Sequence, residues 1–170
     1  MKGENRDALP PTIREEIERI IGAAELYLVD LVRRGHTNST VLEIVVDSLA
    51  GPTLEVLAEV SRTIGDLLDA DDVHPVIPGR YRLEVTTPGL DRPLEAPWQF
   101  TKNVGRLLRV GYRDEAGKKA TRLFRLLGVE GEQIELQPMK TPKKGRPKPS
   151  GDPIVLSRTS IEKATVEPEL

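Results

Sequence analysis

Apolar residues recur at helical spacing in two stretches of the first half of the chain. The first predicts a helix over residues 12–24, with Thr12 as its N-cap and Glu15, three residues later, completing a capping box. The second predicts a helix that is capped by Thr53 and ends near a run of aspartates. Its predicted inner face consists of Leu54, Leu57, Ala58, Ser61, Ile64, Leu67 and Leu68. Each helix therefore has one apolar face to bury against another element.

Three other runs in this half alternate apolar and polar residues, which is the pattern of half-buried strands. Two of them, ELYLVDLVRR and TVLEIVVDS, are separated by the polar segment GHTNS and predict a β-hairpin. The third, YRLEV, follows the second helix. The order α-β-β-α-β predicts a two-layer α/β sandwich in which both helices cover one face of a small sheet.

Beyond about residue 100, the pattern changes to short strand-like runs with turn signals between them. These runs are RLLRVGYR, ATRLFRLLGV, EQIELQ and DPIVLS. They are too short to form a large sheet, so a small closed or half-open β-barrel is the economical arrangement. We therefore predict an α+β protein with a boundary inside residues 88–97. The predicted parts are a flexible N-terminus at 1–11, an α/β domain at 12–91 and a barrel domain at 92–170.

The net charge of −2 conceals a division between the two halves of the chain. Residues 1–100 hold 10 Lys and Arg against 18 Asp and Glu, whereas residues 101–170 hold 15 against 9. Such an asymmetry bears on partners rather than on fold. We interpret it as an acidic module and a basic module that bind different partners. The alternative is two solvated surfaces of one soluble protein.

The basic half offers candidate RNA-binding residues. Arg109 and Arg113 alternate with apolar residues, which predicts that they share the solvent-exposed face of a strand. Residues 137–152 contain five cations and four prolines and are predicted to be a mobile loop between two barrel strands. The candidates are Arg106, Arg109, Arg113, Lys118, Lys119, Arg122, Arg125, Lys140, Lys143, Lys144, Arg146 and Lys148. Cations favour RNA because neutralised phosphates release counterions, although a solubilising surface would have the same composition.

No catalytic or metal-binding motif stands out. The chain has no cysteine, which excludes a disulfide, a thiolate zinc site and a thiol nucleophile. His36 and His74 lie in separate turns, and neither has a second ligand at metal-binding spacing. Nucleotide-binding glycine motifs and nucleophile elbows are absent from the sequence. No apolar run approaches the roughly 18 residues of a membrane span. We expect a cytoplasmic, bacterial-type protein without enzymatic activity, cofactor or metal.

One longer motif, YRLEVTTPGLDRPL, closely resembles the signature of the RimP ribosome-maturation family, which usually has two serines in place of Thr86 and Thr87. The runs LYLVDLVRR, TLEVLAEVSRTIGDLLDADD and SIEKATVEPEL resemble the family's first strand, second helix and C-terminal end. The resemblance spans residues 13–170. Its signature residues here are Pro88, Gly89, Leu90, Asp91, Arg92, Pro93 and Leu94. The chain departs from the family at Gly51-Pro52-Thr53 and in a longer Pro/Lys-rich loop at 137–152.

The resemblance implies that the second domain is an SH3-like (Sm-like) barrel and that the protein is a non-enzymatic assembly factor. Members of the family bind the immature small (30S) ribosomal subunit and assist incorporation of the ribosomal protein of the decoding centre. The expected partners are therefore the immature subunit, its ribosomal RNA and that ribosomal protein. No membrane is expected, and the protein is expected to be a monomer. The alternative is a protein-only adaptor whose barrel binds a peptide or a partner strand.

The signature motif itself has the composition of a stiff joint between domains. Pro88 and Gly89 are predicted to be the central residues of a type II turn, with Gly89 at positive φ. Leu90 and Leu94 are predicted to pack into the two neighbouring cores. Direct contact of the motif's charged pair with the ribosome is the alternative.

Overall fold

Two helices and a three-stranded sheet make up the first half of the computed structural model, which describes residues 9–169. The elements are helix α1 (Pro11–Ala23), strand β1 (Tyr27–Arg34), strand β2 (Thr40–Asp47), helix α2 (Leu54–Leu68) and strand β3 (Tyr81–Thr86). Strands β1 and β2 form an antiparallel hairpin, and β3 pairs in parallel with the other side of β2. The predicted order α-β-β-α-β and the predicted hairpin are confirmed. The chain divides into two compact units, the first ending at Pro88 and the second beginning at Gly89.

One apolar core joins the two helices of the first unit to the sheet. Alternate residues of β2 point to one face, and Leu42, Ile44 and Val46 on that face are fully buried. The buried helical residues in the same core are Ile17, Ile21, Val60, Ile64 and Leu68. Full burial of one such side chain contributes about 1.5–3 kcal/mol, so this core supplies most of the stabilisation of the unit.

Helix α1 begins one residue earlier than predicted, and its cap differs from the predicted one. Pro10 occupies the N-cap position, Pro11 is the first helical residue, and no side chain caps the helix. A proline suits the first helical position because its φ is already helical and its missing N–H would have no partner there. Residues 1–8 of the predicted flexible N-terminus lie outside the described residues, and Leu9 is buried in the core.

Helix α2 has the predicted cap but a different buried face. The Thr53 hydroxyl accepts a hydrogen bond from the Val56 amide at 3.1 Å, an interaction that contributes about 1 kcal/mol to a helix. Leu54, which was assigned to the inner face, is 85% exposed, and Ala58 is also exposed. The packed face instead runs through Val56, Leu57, Val60, Ile64, Leu67 and Leu68. The buried face was predicted wrongly in the first turn of the helix. Leu54 points away from the core there, because it lies on the opposite side of the helix from the packed residue Val56.

Polar contacts hold the segment between α2 and β3. The Tyr81 hydroxyl donates a hydrogen bond to Asp69 Oδ1 at 2.7 Å, and burial together with this carboxylate raises the pKa of Tyr81 above its ordinary value. The Arg80 amide donates to the Asn38 side chain in the β1–β2 loop at 3.1 Å. Gly79 lies at φ +78°, and a Cβ there would stand 2.2 Å from Asn38 Oδ1. Position 79 therefore requires glycine, both for its positive φ and for its close approach to Asn38.

The second unit contains one short helix and six strands. They are helix α3 (Pro97–Lys102) and strands β4 (Leu107–Arg113), β5 (Lys119–Glu130), β6 (Gln133–Lys140), β7 (Lys148–Pro149), β8 (Ile154–Ser157) and β9 (Ile161–Val166). The strands pair in the order β7-β6-β5-β4-β9, and β8 pairs with β6 beside β7. All pairs are antiparallel. Within the described residues no pair closes the sheet, so the structure does not confirm an SH3-like barrel.

The core of the second unit lies on one face of this sheet. Leu108, Phe124, Leu126, Ile134 and Leu136 are fully buried there, with Phe100 of α3 packed against them. The Tyr112 and Phe124 rings meet edge to face with centroids 5.8 Å apart. A separate apolar cluster of Leu107, Leu123 and Met139 lies apart from this core. None of the helices in residues 9–169 is long and apolar enough to cross a membrane.

Candidate nucleic-acid interface

The Pro/Lys-rich segment at 137–152 is a hairpin at its base rather than an irregular loop throughout. In it β7 pairs with the end of β6, so Lys140 lies opposite Lys148 and Met139 opposite Pro149. The Ser150 amide donates to the Pro138 carbonyl at 2.8 Å, and the Gln137 side chain donates to the Gly151 carbonyl at 2.9 Å. These bonds fix both ends of the segment and leave residues 141–147 as its tip.

The cations of this hairpin are exposed and form no ion pairs within the described residues, although the charge of Arg146 contributes to a lowered pKa at Glu169. They are Lys140, Lys143, Lys144, Arg146 and Lys148. Over residues 9–169 none of the five forms an ion pair. Lys140 and Lys148 face each other directly across the two strands, and like charges in that position destabilise a sheet. A bound polyanion would relieve that repulsion.

The strand cations are arranged differently. Arg109 and Arg113 are both exposed on the same face of β4, as predicted from their spacing. Each pairs with a carboxylate on or just after β9. The Arg109–Glu167 distance is 3.2 Å, and the Arg113–Glu162 distance is 3.1 Å. Their charge is therefore largely compensated within the unit.

Lys119 and Arg125 of β5 are compensated in the same way. Lys119 lies 3.8 Å from Glu162, which it shares with Arg113. Arg125 makes a bidentate pair with Glu169, with both N–O distances 3.1 Å, and also donates to the Gly105 carbonyl at 3.0 Å. The hydrogen bonds from Arg125 are the main cause of a lowered pKa at Glu169.

The other three candidate RNA-binding residues, Arg106, Lys118 and Arg122, each have different surroundings. Arg122 is opposite Val110 in the ladder and therefore lies on the core side of the sheet, with its guanidinium 5.7 Å from the centre of the Phe124 ring. Arg106 donates to the Asn103 side chain at 3.3 Å. Lys118 lies in the β4–β5 turn and is exposed.

A groove crosses the outer face of the sheet between the hairpin and the C-terminal segment. Its volume is about 490 Å³. Leu107 and Leu123 of the two middle strands form its floor, Arg146 lies on the hairpin side, and Glu167 and Glu169 lie on the opposite side. The groove thus combines an apolar floor with charges of both signs on its walls.

The signature residues lie where the second unit begins, but the predicted turn is shifted. Gly89 is not at positive φ, and the hydrogen bond from the Arg92 amide to the Gly89 carbonyl at 3.1 Å places the turn over residues 89–92. Leu90 is 50% exposed, so its predicted place in a core is wrong. Leu94 does pack against the core of the second unit, and its amide donates to the Ala164 carbonyl at 2.7 Å.

In the first unit, the exposed side of α2 and the loop after it are acidic. Residues 54–72 hold six carboxylates and one arginine. The carboxylates are Glu55, Glu59, Asp66, Asp69, Asp71 and Asp72, all exposed. A groove of about 350 Å³ between α1 and α2 lies beside Glu59 and is lined by Ile20, Val56 and Val60.

Neither histidine belongs to a group of side chains that could bind a metal ion within residues 9–169. The His74 ring lies 3.8 Å from Asp71 in an exposed loop, and the His36 carbonyl accepts bonds from Ser39 and Thr40 in the β1–β2 loop. In residues 9–169 no three His, Cys, Asp or Glu side chains are grouped so that they could hold a metal ion.

The sequence argument missed the carboxylates that neutralise the strand arginines. Glu162, Glu167 and Glu169 stand at the end of the chain, 44 or more residues from their partners. A signal was present, since acidic residues recur along TSIEKATVEPEL. Their partners could not be identified from the sequence, because the pairing depends on the register between β4 and β9.

Comparison with known proteins gives consistent matches. A family model described as the RimP N-terminal domain matches residues 16–91. A ribosome maturation factor RimP from Chlorobium limicola is 37% identical over 151 residues, which cover 85% of this chain and 85% of the relative. Its counterpart in Prosthecochloris aestuarii is 35% identical over 154 residues, covering 86% and 85%. The RimP of Pelodictyon phaeoclathratiforme is 29% identical over 150 residues, covering 85% and 86%.

Proposed function

Because the chain belongs to the RimP family, we propose that it is a bacterial ribosome maturation factor that acts in assembly of the small (30S) subunit. In this proposal it binds the immature subunit in the cytoplasm and assists incorporation of the ribosomal protein of the decoding centre. The role is one of binding rather than catalysis. The observation that carries the RNA part of the proposal is the set of five exposed cations on the β6–β7 hairpin, none of which forms an ion pair within residues 9–169.

The hairpin supports contact with ribosomal RNA through the phosphate backbone. Its cations project from a base fixed by β7 pairing and by the Gln137 and Ser150 hydrogen bonds. Neutralising phosphates with lysine and arginine gives affinity without sequence readout. The compensated strand arginines contribute less in this proposal, because a carboxylate must first be displaced from each.

The acidic surface of the first unit supports contact with a protein partner. Six exposed carboxylates lie on and after α2, and one of them, Glu59, lines the α1–α2 groove together with Val56 and Val60. Ribosomal proteins are mostly basic, so this surface is complementary to them in charge. We assign the ribosomal protein of the decoding centre to this surface and ribosomal RNA to the second unit.

We also propose that the second unit is an SH3-like barrel in a half-open form. Its antiparallel order and short strands fit a small barrel. The pairing register shifts between Leu126 and Gly128 of β5 and between Gly111 and Tyr112 of β4. Such irregularities bend strands and permit a sheet to curl.

Sucrose-gradient sedimentation of the tagged protein in lysate tests the proposal. Co-migration with free small subunits, and its loss after ribonuclease treatment, is the expected result. Binding that survives ribonuclease would favour the protein-only adaptor. Recovery of all the protein at the top of the gradient, with none in the subunit fractions, would contradict a role in small-subunit maturation.

A further inference from the structure

Two arginines on the outer face of the second unit hold carboxylates in the geometry that guanidinium groups use for phosphates. Arg125 is bidentate with Glu169, with both distances 3.1 Å. Arg109 meets both oxygens of Glu167, at 3.2 and 3.4 Å. The planar guanidinium fork matches carboxylate and phosphate equally well in shape, so these contacts are also a phosphate-binding arrangement.

The acidic segment that fills these forks is held in place by the edge of the sheet. The Glu167 amide donates to the Leu107 carbonyl at 2.9 Å, which continues the β4–β9 ladder by one bond. Pro168 biases Glu167 toward an extended backbone, and it is the one residue that separates Glu167 from Glu169.

The surroundings of the forks suit a nucleic-acid strand. The groove of about 490 Å³ lies over the buried side chains of Leu107 and Leu123, and exposed charged side chains form its walls. Arg146 of the hairpin lies on its far wall, and its charge, with that of Arg125, lowers the pKa of Glu169. Two guanidinium groups, Arg109 and Arg146, therefore line this groove, and a third, Arg125, binds the lining carboxylate of Glu169.

We propose that Arg109 and Arg125 form a second phosphate-backbone site for RNA, and that Glu167 and Glu169 occupy it as an intramolecular competitor. This inference rests on the proposed RNA-binding function and adds to it a built-in limit on affinity. RNA held by the hairpin enters the groove only by displacing two exposed ion pairs. Because exposed pairs are weak, the displacement reduces affinity by a modest factor and does not prevent binding.

The test compares RNA affinity of the full-length protein with that of the E167Q/E169Q variant, using a fragment of small-subunit ribosomal RNA over a range of salt concentrations. The variant should bind about three- to tenfold more tightly. Its plot of log affinity against log salt should be steeper by about 1 to 2, since two further phosphates are neutralised. The matched control is E130Q/E135Q, which removes the same charge from two glutamates that form no ion pair within residues 9–169.

Adding R109Q and R125Q to the E167Q/E169Q variant should return affinity and salt slope to wild-type values or below. NMR signals of the Arg109 and Arg125 Nε–H groups should shift on RNA addition, and shift at lower RNA concentration in E167Q/E169Q. Equal affinities and slopes for E167Q/E169Q and E130Q/E135Q would overturn the inference while leaving RNA binding intact. Absence of RNA binding by the wild type and every variant would overturn the proposed function as well.

Discussion

The second unit carries two sets of cations that look alike in composition and differ in their surroundings. The cations of β4 and β5 lie on a paired sheet, and four of them contact carboxylates on or after β9. The hairpin cations lie at the end of β6, on β7 and on the tip between them, and within residues 9–169 none of them forms an ion pair. The difference shows that a count of cations in the sequence overstates the positive charge that the fold leaves unpaired. In our proposal, a cation already paired with a carboxylate contributes less to phosphate binding than an unpaired one.

The largest effect should follow removal of the hairpin charges. Replacing Lys140, Lys143, Lys144, Arg146 and Lys148 by glutamine should lower RNA affinity about 30-fold or more near 0.1 M salt, because up to five phosphate contacts are lost. Electrophoretic mobility shift gives the affinity. Fluorescence of Trp98, the single tryptophan of the chain, controls for folding of the second unit. If the folded variant bound RNA with wild-type affinity, the hairpin could not be part of the RNA interface.

A smaller effect, with opposite signs for binding and stability, is expected from Lys148→Glu. The new carboxylate would face Lys140 across the hairpin and turn a repulsive pair into an attractive one. Unfolding free energy should rise by about 0.2–1 kcal/mol, while RNA affinity should fall about three- to tenfold. Urea unfolding followed at Trp98 and a filter-binding assay report the two quantities. A fall in both would show that Lys148 has a structural role instead.

Arg113→Gln should lower stability while leaving RNA affinity nearly unchanged. It removes an exposed pair with Glu162 and a hydrogen bond to the Gly117 carbonyl, so unfolding free energy should fall by about 0.5 kcal/mol. RNA affinity should change less than about twofold, since Glu162 already compensates this charge. The same two assays apply. A loss of affinity as large as that of Lys148→Glu would place Arg113 in the interface.

The smallest effect is a pH dependence of the stability that the Glu169–Arg125 pair contributes. A lowered pKa means that the Glu169 contact with Arg125 stabilises the fold above the ordinary carboxyl pKa and is lost as pH falls through the folded-state pKa. The wild type should therefore exceed E169Q in urea midpoint at pH 7, and the two should converge once the pH has fallen below the lowered folded-state pKa of Glu169. A pH-independent difference would mean that the Glu169 charge is not the cause.

Much of the fold follows from local patterns in the sequence. Alternation located the β1–β2 hairpin, and Thr53 caps α2 as predicted because both depend on residues close in sequence. The errors are also local. Pro10 and Pro11 displaced the predicted Thr12 cap, and the hydrogen bond from the Arg92 amide to the Gly89 carbonyl places the turn two residues later than predicted.

The candidate site was less accessible to sequence reasoning because it depends on contacts between distant residues. The exposure of Arg109 followed from its position in β4, but its neutralisation by Glu167, 58 residues away, follows from the place of β9 beside β4. Likewise, the composition of residues 137–152 indicated exposed cations but not the β7 pairing that sets Lys140 against Lys148. Strand order and register carry this information, and neither is encoded in a short motif.

The most direct test of the account compares two variants that each lose four positive charges. One replaces Lys140, Lys143, Lys144 and Lys148 of the hairpin by glutamine. The other replaces Arg109, Arg113, Lys119 and Arg125 of the strands. The salt slope of RNA binding should flatten by about 3 for the hairpin variant and by less than about 1 for the strand variant. Equal flattening, or a larger change in the strand variant, would contradict the proposal that the unpaired hairpin cations carry the RNA contact.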